Sequence, residues 1–459
     1  MACPPKIGLV LVFLGLVSAA HPAQAAVLTV GDHGEYRTIA EAVAAASPSD
    51  VVRVLPGTYY GNIVIDKSLS VEGIGKPMLH GTGTGSVLTI TADACQLRGF
   101  LIEHCGGDLQ QEDAGILIKS QNNVIENNEL RDILYGVYLY SSHGNTIRGN
   151  SVYGRTALES GDRGAGLHLW NSPDNTLEDN SIYDARDGLY IQSCAGNTIL
   201  RNRVYRVRYG LHYMFSNDNR IEDNLFSNNV AGAAIMYSNN ITLRNNAFVH
   251  NRGFSSFGIL FQECNDCTLE GNFIIDNATG MFMEAVRRTI FRRNVIAEND
   301  TALEMFTSSD ENTFTENNFV ENLSPLRLIG RRTTTHWQNE GHGNYWSDYD
   351  GYDLDGDGVG DRPHEIQNVF EYLEGNYPRL RLYLNSPAAQ ALAAAEKAFP
   401  LIQSSRETDR SPLMKAIPIK YSFEAQEANG RARWLVALTS ILMTISASIV
   451  FVKFRRIAN

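Results

Sequence analysis

The chain has 459 residues, 43% of them hydrophobic, and a formal net charge of −12 at pH 7. A surface this acidic argues against nucleic acid as a partner, because neutralising phosphates needs a basic surface. The length alone would allow two or three domains. That expectation does not apply to a solenoid, which lengthens along one axis as repeats are added.

Residues 1–25 have the features of a secretory signal peptide. They carry one Lys, an apolar run over Ile7–Ala20 and a small-x-small sequence at Ala23–Ala25. The apolar run is too short for a comfortable membrane span, so we expect cleavage near Ala25. Cleavage removes Cys3 and places the other five cysteines in an oxidising compartment.

The mature chain is predicted to open with a capping helix. Tyr36–Ala46 is a short amphipathic segment between the strand-like stretches Leu28–Val30 and Val51–Tyr60. A helix here would cover the apolar end and the unpaired strand edge that an uncapped solenoid exposes.

Repeats dominate residues 27–330. A turn Asn followed two places on by an apolar residue recurs in steps of 22, 30, 22, 22, 22, 26, 22 and 23 residues, at Asn128, Asn150, Asn180, Asn202, Asn224, Asn246, Asn272, Asn294 and Asn317. A Gly opens a short alternating strand in the same phase, at Gly115, Gly136, Gly166, Gly188, Gly210, Gly232, Gly258 and Gly280. Short strands on this period predict an all-β fold, a right-handed parallel β-helix with coils roughly 4.8 Å apart.

The turn asparagines have a predicted role of their own. Side-chain amides at equivalent corners of successive coils can form a ladder of hydrogen bonds along the stack. Asn also tolerates the left-handed backbone conformation that sharp corners need. We therefore expect each of these residues to be a corner that contacts its equivalents in the coils on either side.

Three segments of different composition follow the coils. Residues 331–385 are rich in Asp, Gly and aromatic residues, and 386–430 are predicted as an Ala-rich helix over 386–403 followed by a polar linker. Residues 434–452 are apolar or small and flanked by basic residues, which predicts a transmembrane helix with the coils outside and Lys453–Arg456 inside. These features predict a periplasmic protein tethered to the inner membrane.

Strand alternation identifies a candidate copper site. If Leu211 and Tyr213 point into the coil, the residues that follow each of them in the chain point outward. An imidazole and two thioethers on neighbouring outward positions suit Cu(I), a soft cation. The alternative is that methionine fills a surface gap or a protein interface. The candidate ligands are His212, Met214 and Met236, with His168 two rungs back in the column of His212.

The pair Cys264 and Cys267 is a weaker metal candidate. Two thiols at this spacing bind soft metals or form a redox pair, but one such pair is a weak signal. A local disulfide between the two, or two unpaired turn thiols, is the simpler account of the pair. Cys95 and Cys105 could lie on one coil, and their pairing stays open.

An Asp-rich loop predicts a structural calcium ion. Carboxylates at alternate positions followed by Gly wrap oxygen atoms around Ca²⁺. The twelfth position, where a bidentate Glu is usual, is His364, with Glu365 beside it. The alternative is an acidic turn without metal. The predicted ligands are Asp353, Asp355, Asp357, the Val359 carbonyl and Asp361.

The scaffold also raises a second functional class, an enzyme that binds or cleaves acidic polysaccharides. Outward aromatic residues could stack on sugar rings, whereas hydrolysis requires two carboxylates at a set separation. Asp187, Asp218 and Glu222 lie near turns without a facing pair, so we interpret them as solvated corner residues. The outward aromatic residues are Tyr138, Tyr140, Trp170 and Tyr190.

These features together resemble a known family. The opening and the coils are similar to the pectin-lyase-like superfamily. The segment Asn344–Tyr349, which runs into Asp353–Pro363, closely resembles the NosD family when taken with the coils and the Ala-rich helix. The resemblance implies a periplasmic accessory protein, not an enzyme, for copper-site maturation of nitrous oxide reductase. It further implies an ABC transporter permease and ATPase, a copper chaperone and the reductase as partners.

Overall fold

A computed structural model describes residues 25–330, 333–366 and 407–420, together with Ser386 and Ala391. The predicted signal peptide, most of the Ala-rich helix and the predicted span 434–452 lie outside these ranges. Within them, no helix is both long enough and apolar enough to cross a membrane. The described coils belong to one compact unit that extends to Ile417.

The described chain consists almost entirely of short strands. The first half contains β1 Val27–Val30, β2 Val51–Val54, β3 Thr58–Tyr60, β4 Ile63–Ile65, β5 Ser70–Gly73, β6 Met78–His80, β7 Leu88–Ile90, β8 Gln96–Arg98, β9 Leu101–Glu103, β10 Ala114–Ile118, β11 Val124–Glu126, β12 Glu129–Ile133, β13 Tyr135–Tyr140, β14 Thr146–Arg148, β15 Ser151–Gly154, β16 Ala165–Trp170, β17 Thr176–Glu178, β18 Ser181–Tyr183, β19 Asp187–Gln192 and β20 Thr198–Leu200. The second half contains β21 Arg203–Tyr205, β22 Tyr209–Met214, β23 Arg220–Glu222, β24 Leu225–Ser227, β25 Ala231–Met236, β26 Thr242–Arg244, β27 Ala247–Val249, β28 Phe257–Gln262, β29 Thr268–Glu270, β30 Phe273–Ile275, β31 Thr279–Glu284, β32 Ile290–Arg292, β33 Val295–Ala297, β34 Thr301–Phe306, β35 Thr313–Thr315, β36 Asn318–Val320, β37 Ser324–Ile329, β38 Tyr345–Trp346, β39 His364–Glu365 and β40 Thr408–Asp409. The helices are α1 Ile39–Ala45 and a 3₁₀ turn, Ser160–Asp162.

Three long sheets run side by side along the stack. Between β2 and β37 every third strand belongs to the same sheet, and β1 and β38 add one strand each at the ends. The first sheet has 13 strands from β1 to β35, the second 12 from β4 to β37 and the third 13 from β3 to β38. Neighbouring strands within each are parallel and in register, as in β19 and β22, where Leu189 pairs with Leu211. The predicted parallel β-solenoid is confirmed. A fourth, two-stranded sheet pairs β39 with β40 antiparallel.

The corner asparagines form the predicted ladder. The main-chain N–H of Asn202 donates to Oδ1 of Asn224 at 2.8 Å, and its Nδ2 donates to the same atom at 3.0 Å and to the Leu177 carbonyl at 2.8 Å. The series runs from Asn128 to Asn344, and each member is buried. The left-handed residue is the one before the ladder residue, for example Arg201 at φ 52°. The ladder residue itself contributes hydrogen bonds that the corner backbone would otherwise lack.

Helix α1 lies where the sequence predicts a cap. Thr38 begins it with a capping box, in which its hydroxyl accepts from the Glu41 N–H while the Glu41 carboxylate accepts from the Thr38 N–H. Ile39, Ala42 and Val43 are buried, and the helix packs on β1, β2 and β4. It therefore covers the apolar end of the first coil.

A returning segment covers the other end. The Asp409 carboxylate accepts from the indole N–H of Trp346 at 3.0 Å and from the Asn344 N–H at 2.8 Å. Glu407 accepts from the indole N–H of Trp337 at 2.9 Å. Residues 404–430 were predicted as a linker, and this was wrong for 407–417, which pack against the last coils. The aromatic segment after the coils is thus part of a C-terminal closure.

The close spacing of the coils leaves no room for a side chain at the glycines that open the strands. A Cβ on Gly188 would lie 2.3 Å from Val204 Cγ1 and 2.5 Å from the carbonyl oxygen of Gly210 in the next coil. We predict that G188A lowers the free energy of unfolding by about 1–3 kcal/mol, because core atoms and backbone must move to admit a methyl group. Chemical denaturation measures this. G161A is the matched control, since nothing lies within 4 Å of the added Cβ there, and an equal loss in both variants would contradict the explanation.

Candidate metal centre

The candidate site lies on the outward face of the second sheet, across β19, β22 and β25. Leu211 and Tyr213 are fully buried, whereas His212 and Met214, which alternate with them, are partly exposed. Met214 and Met236 are direct partners on β22 and β25. The predicted register is therefore present, and a one-residue slip would have turned all of these side chains inward.

The three predicted copper ligands share one face. His212 is two residues before Met214 on the same strand, and its partner on β25 is the small residue Ala234. Neighbouring strands are about 4.8 Å apart and alternate residues about 7 Å apart, so one imidazole and two thioethers border a common space. The His212 side chain is 11% exposed, which makes this a recessed position. Such a set of neutral, soft donors suits Cu(I).

Asp187 lies beside the candidate site, in a position that the sequence did not predict. It was interpreted as a solvated corner residue, and this was wrong, because Asp187 begins β19 and is fully buried. Arg208 binds its two oxygens at 2.9 and 2.7 Å, and His212 Nδ1 lies 3.0 Å from Oδ2. Its partners in register are Ala165 and Tyr209. A carboxylate at a strand start that is otherwise uncharged was the signal available in the sequence.

This carboxylate orients the imidazole. Burial raises the pKa of Asp187, but the hydrogen bonds from His212 and Arg208 outweigh burial and hold the pKa below its usual value. An ionised carboxylate can only accept, so His212 Nδ1 carries a proton, and in the neutral imidazole Nε2 is the nitrogen that has the lone pair. A carboxylate that fixes the tautomer in this way is the usual outer partner of a metal-binding histidine.

Aromatic rings border the site on two sides. The Tyr190 and Tyr209 rings contact His212 edge to face, at centroid distances of 4.8 and 5.0 Å. At the corner that follows each methionine, Phe215 and Tyr237 stack at 4.9 Å. Phe215 is 51% exposed, so the rim beside the thioethers is apolar and accessible.

His168 occupies the predicted place in the column but is more buried than its outward position suggests. It pairs with Tyr190, which pairs in turn with His212. Burial, helped by Arg186, lowers the pKa of His168 to about 3. The imidazole is therefore neutral at physiological pH.

The outward aromatic residues divide into two groups. Tyr138 is buried and packs on His168 at 4.6 Å, whereas Tyr140 and Trp170 are exposed partners on β13 and β16. Tyr138 therefore belongs to the surroundings of the metal candidate. The polysaccharide interpretation expects a continuous row of exposed rings, whereas only Tyr140 and Trp170 of the four predicted rings are exposed.

Cys264 and Cys267 belong to the core. Both thiols are buried and unpaired, which agrees with the simpler alternative of turn thiols. Burial raises their pKa to about 12 and about 11, so both stay protonated. Without a metal ion the pair therefore lacks the thiolate form that binds metals, and it remains the weaker candidate. Cys95, Cys105 and Cys194 are also free and buried.

The Asp-rich loop brings three of its four predicted carboxylates together. Oxygen atoms of Asp353, Asp355 and Asp357 lie within 4.8 Å of one another. Asp361 instead accepts from the Leu354 N–H at 2.7 Å. Gly356 and Gly358 donate to Asp353 through backbone that is left-handed, which closes the loop. The calcium ion stays a prediction.

Comparison with known proteins decides the family. A family model described as "Periplasmic copper-binding protein (NosD)" matches residues 87–161 and 150–351, which include His212, Met214 and Met236. A Pseudomonas aeruginosa protein named "Probable ABC transporter binding protein NosD" is 37% identical over 375 residues, covering 78% of this chain and 87% of that protein. This chain belongs to the NosD family. A protein of the same name from Stutzerimonas stutzeri is 33% identical over 438 residues, covering 92% and 96% of the two chains. The family description is that of a periplasmic copper-binding protein.

Solved structures support the fold. A family 28 exopolygalacturonase from Yersinia enterocolitica aligns with a TM-score of 0.50 and 11% identity, covering 69% of this chain and 78% of the enzyme. The catalytic domain of a GH87 α-1,3-glucanase aligns with a TM-score of 0.51 and 11% identity, covering 71% and 70%. At this identity the likeness extends to the β-solenoid alone.

The buried histidine makes a prediction about acid stability. Because its folded pKa of about 3 is below the unfolded value near 6.5, His168 contributes stability that is complete above pH 6.5 and declines as the pH falls toward 3. We expect H168F to flatten the loss of stability between pH 6.5 and pH 4, by up to about 1.4 kcal/mol per pH unit. Thermal melts against pH measure it. The exposed His143 gives the control H143F, and parallel curves for H168F and wild type would contradict the argument.

The Asp-rich loop predicts a calcium effect. Three carboxylates this close repel one another unless a cation lies among them, so removing Ca²⁺ should make 353–361 more sensitive to protease while the coils stay intact. Limited proteolysis with and without a chelator, followed by mass spectrometry, locates the cuts. D355N/D357N is expected to remove the dependence on Ca²⁺. Equal cleavage with and without the ion in the parent protein would refute the site.

Proposed function

We propose that this protein carries Cu(I) at His212, Met214 and Met236 and passes it on during maturation of the copper centre of nitrous oxide reductase. It acts as a binding and transfer protein rather than as an enzyme. The observation that supports this most is the buried Asp187, which engages His212 Nδ1 and so makes Nε2 the nitrogen that a metal would use, beside two thioethers in register.

The donor set suits transfer better than storage. Imidazole and thioether ligands are neutral and soft, so they favour Cu(I) over harder cations. His212 is mostly buried and fixed by its carboxylate, whereas the methionines lie on a partly exposed sheet face with an accessible aromatic rim. A partner protein can therefore approach the copper ion from the methionine side while the scaffold holds the imidazole.

The proposed partners follow from the family. The P. aeruginosa and S. stutzeri relatives are named as ABC transporter binding proteins, and we extend that association to this chain with a permease and an ATPase. A copper chaperone would load the site and the reductase would receive the ion. Attachment to the inner membrane through residues 434–452 stays a prediction, since that segment lies outside the described ranges.

The test removes the thioethers without disturbing the fold. M214L/M236L keeps volume and apolar character, so we expect less than about 1.5 kcal/mol of destabilisation. Cu(I) affinity, measured by competition with a colorimetric chelator, should fall at least about tenfold, and D187N should lower it by about 10–100-fold by releasing His212. In cells, the reductase should accumulate with less copper.

A matched variant controls for loss of methionine itself. Met283 is fully buried on the inner face of β31, so M283L should leave Cu(I) affinity unchanged. If M214L/M236L binds Cu(I) as tightly as wild type and supports full loading of the reductase, the two methionines form only a surface feature and the proposal fails.

A further inference from the structure

Two aromatic residues lie at corners where the backbone conformation disfavours them. Phe215 directly follows Met214 at the end of β22, with φ 50°. Tyr237 directly follows Met236 at the end of β25, with φ 53°. Bulky side chains are rare in this left-handed region, because the Cβ atom then lies too close to the backbone. Of the described residues other than Gly that have left-handed backbone, these are the only two with a benzene ring.

The same corner in the neighbouring coils holds small or polar residues. From β13 to β31, each strand of the second sheet is followed by one left-handed residue, and the aromatic ones occur only in the two coils that carry Met214 and Met236. Backbone strain of this kind persists where a function requires the side chain, so the rings call for an explanation at the metal candidate. The other members of the series are Ser141, Asn171, Ser193, Glu263 and Ala285.

The two rings form one flat wall, the aromatic rim, beside the two methionines. Their centroids are 4.9 Å apart and their planes differ by 11°, so the rim spans the same two coils as the methionine pair. Main-chain bonds fix the corner. The Phe215 N–H donates to the Met236 carbonyl at 3.3 Å, and the Tyr237 N–H donates to the Gln262 carbonyl at 2.9 Å. The aromatic rim is therefore a permanent border of the candidate site.

The neighbours of the methionine pair along the column are polar. Gln192 is the register partner of Met214 on one side. Gln262 is the register partner of Met236 on the other side. Both amides are hydrogen-bonded to side chains of the same sheet face. Amide groups bind water, whereas aromatic rings exclude it. The polarity around the two thioethers therefore depends on the aromatic rim.

We propose that Phe215 and Tyr237 control the release of copper, by limiting access of small hydrophilic ligands to the ion from the methionine side. The inference rests on the proposed function, because the rim acts on an ion held at His212, Met214 and Met236. The apolar surroundings of a metal site control solvent access and the local dielectric. A hydrophilic ligand that displaces a thioether has to lose water beside the rings, whereas a protein with an apolar surface can pack on them. The ion is thus retained against small ligands and released to a protein.

The experiment measures Cu(I) exchange from the full chain without oxygen, in wild type and in F215S/Y237S. Serine occupies the same corner at Ser141 and Ser193, with φ 48° and 55°, so we expect the variant to fold and to melt within about 5 °C of wild type. Transfer of Cu(I) to the hydrophilic chelator bathocuproine disulfonate, followed by stopped-flow absorbance, should be at least about tenfold faster in the variant. F215Y/Y237F keeps two rings and should exchange at the wild-type rate. The control A285S changes the same corner two coils away and should do the same.

The outcomes separate this inference from the proposed function. If F215S/Y237S binds Cu(I) but exchanges it at the wild-type rate, the role of the aromatic rim is refuted, and the proposed function is judged on M214L/M236L alone. A lower melting temperature without faster exchange means that the rings only stabilise the corner, which also refutes the inference. An equal acceleration in A285S would contradict it as well. If wild type binds no Cu(I) that M214L/M236L loses, the proposed function and the inference both fail.

Discussion

Each coil of this protein has to repeat its corners in phase with its neighbours, because a buried amide at each corner bonds to the next one. Asn202 donates both its main-chain N–H and its Nδ2 to Oδ1 of Asn224, and the same geometry continues through the stack. A coil shifted by one residue would lose two such bonds on each side, and unpaired buried amides are strongly unfavourable. The ladder therefore fixes the register of all three sheets.

A fixed register turns the outward positions into straight columns. Residues about 22 positions apart in the chain become neighbours about 4.8 Å apart in space. The site uses this directly, since Asp187, Arg208 and His212 come from two successive coils, Met214 lies on the same strand as His212, and Met236 lies on the next strand of the same sheet. Insertions in the corners, such as the longer step before β16, change the loops without breaking the columns.

How well a feature could be predicted from sequence depended on how far apart in the chain its interacting residues lie. The period, the Asn ladder and the outward positions of His212, Met214 and Met236 depend on alternation and spacing, and both are visible in the chain. Asp187 was missed because its burial depends on Arg208 and His212 in the next coil, and its place at the start of an otherwise uncharged strand does not reveal those partners. The packing of residues 407–417 was missed for the same reason, since Glu407 contacts Trp337 across 70 positions.

The energetics of Asp187 favour a role in orientation over one in stability. Burying a carboxylate is expensive even when it is paired, and well-packed apolar residues in place of a buried ion pair are often as stable or more so. The pairing here is complete, with two bonds from Arg208 and one from His212, so the charge is tolerated without adding much to the fold. The Asp187 carboxylate fixes the tautomer and the ring direction of His212, which apolar packing could not do. In the proposed site, an imidazole nitrogen held in one direction would be a rigid ligand and the two flexible thioethers adaptable ones. That combination would allow copper to bind and still be released to a partner that approaches from the methionine side.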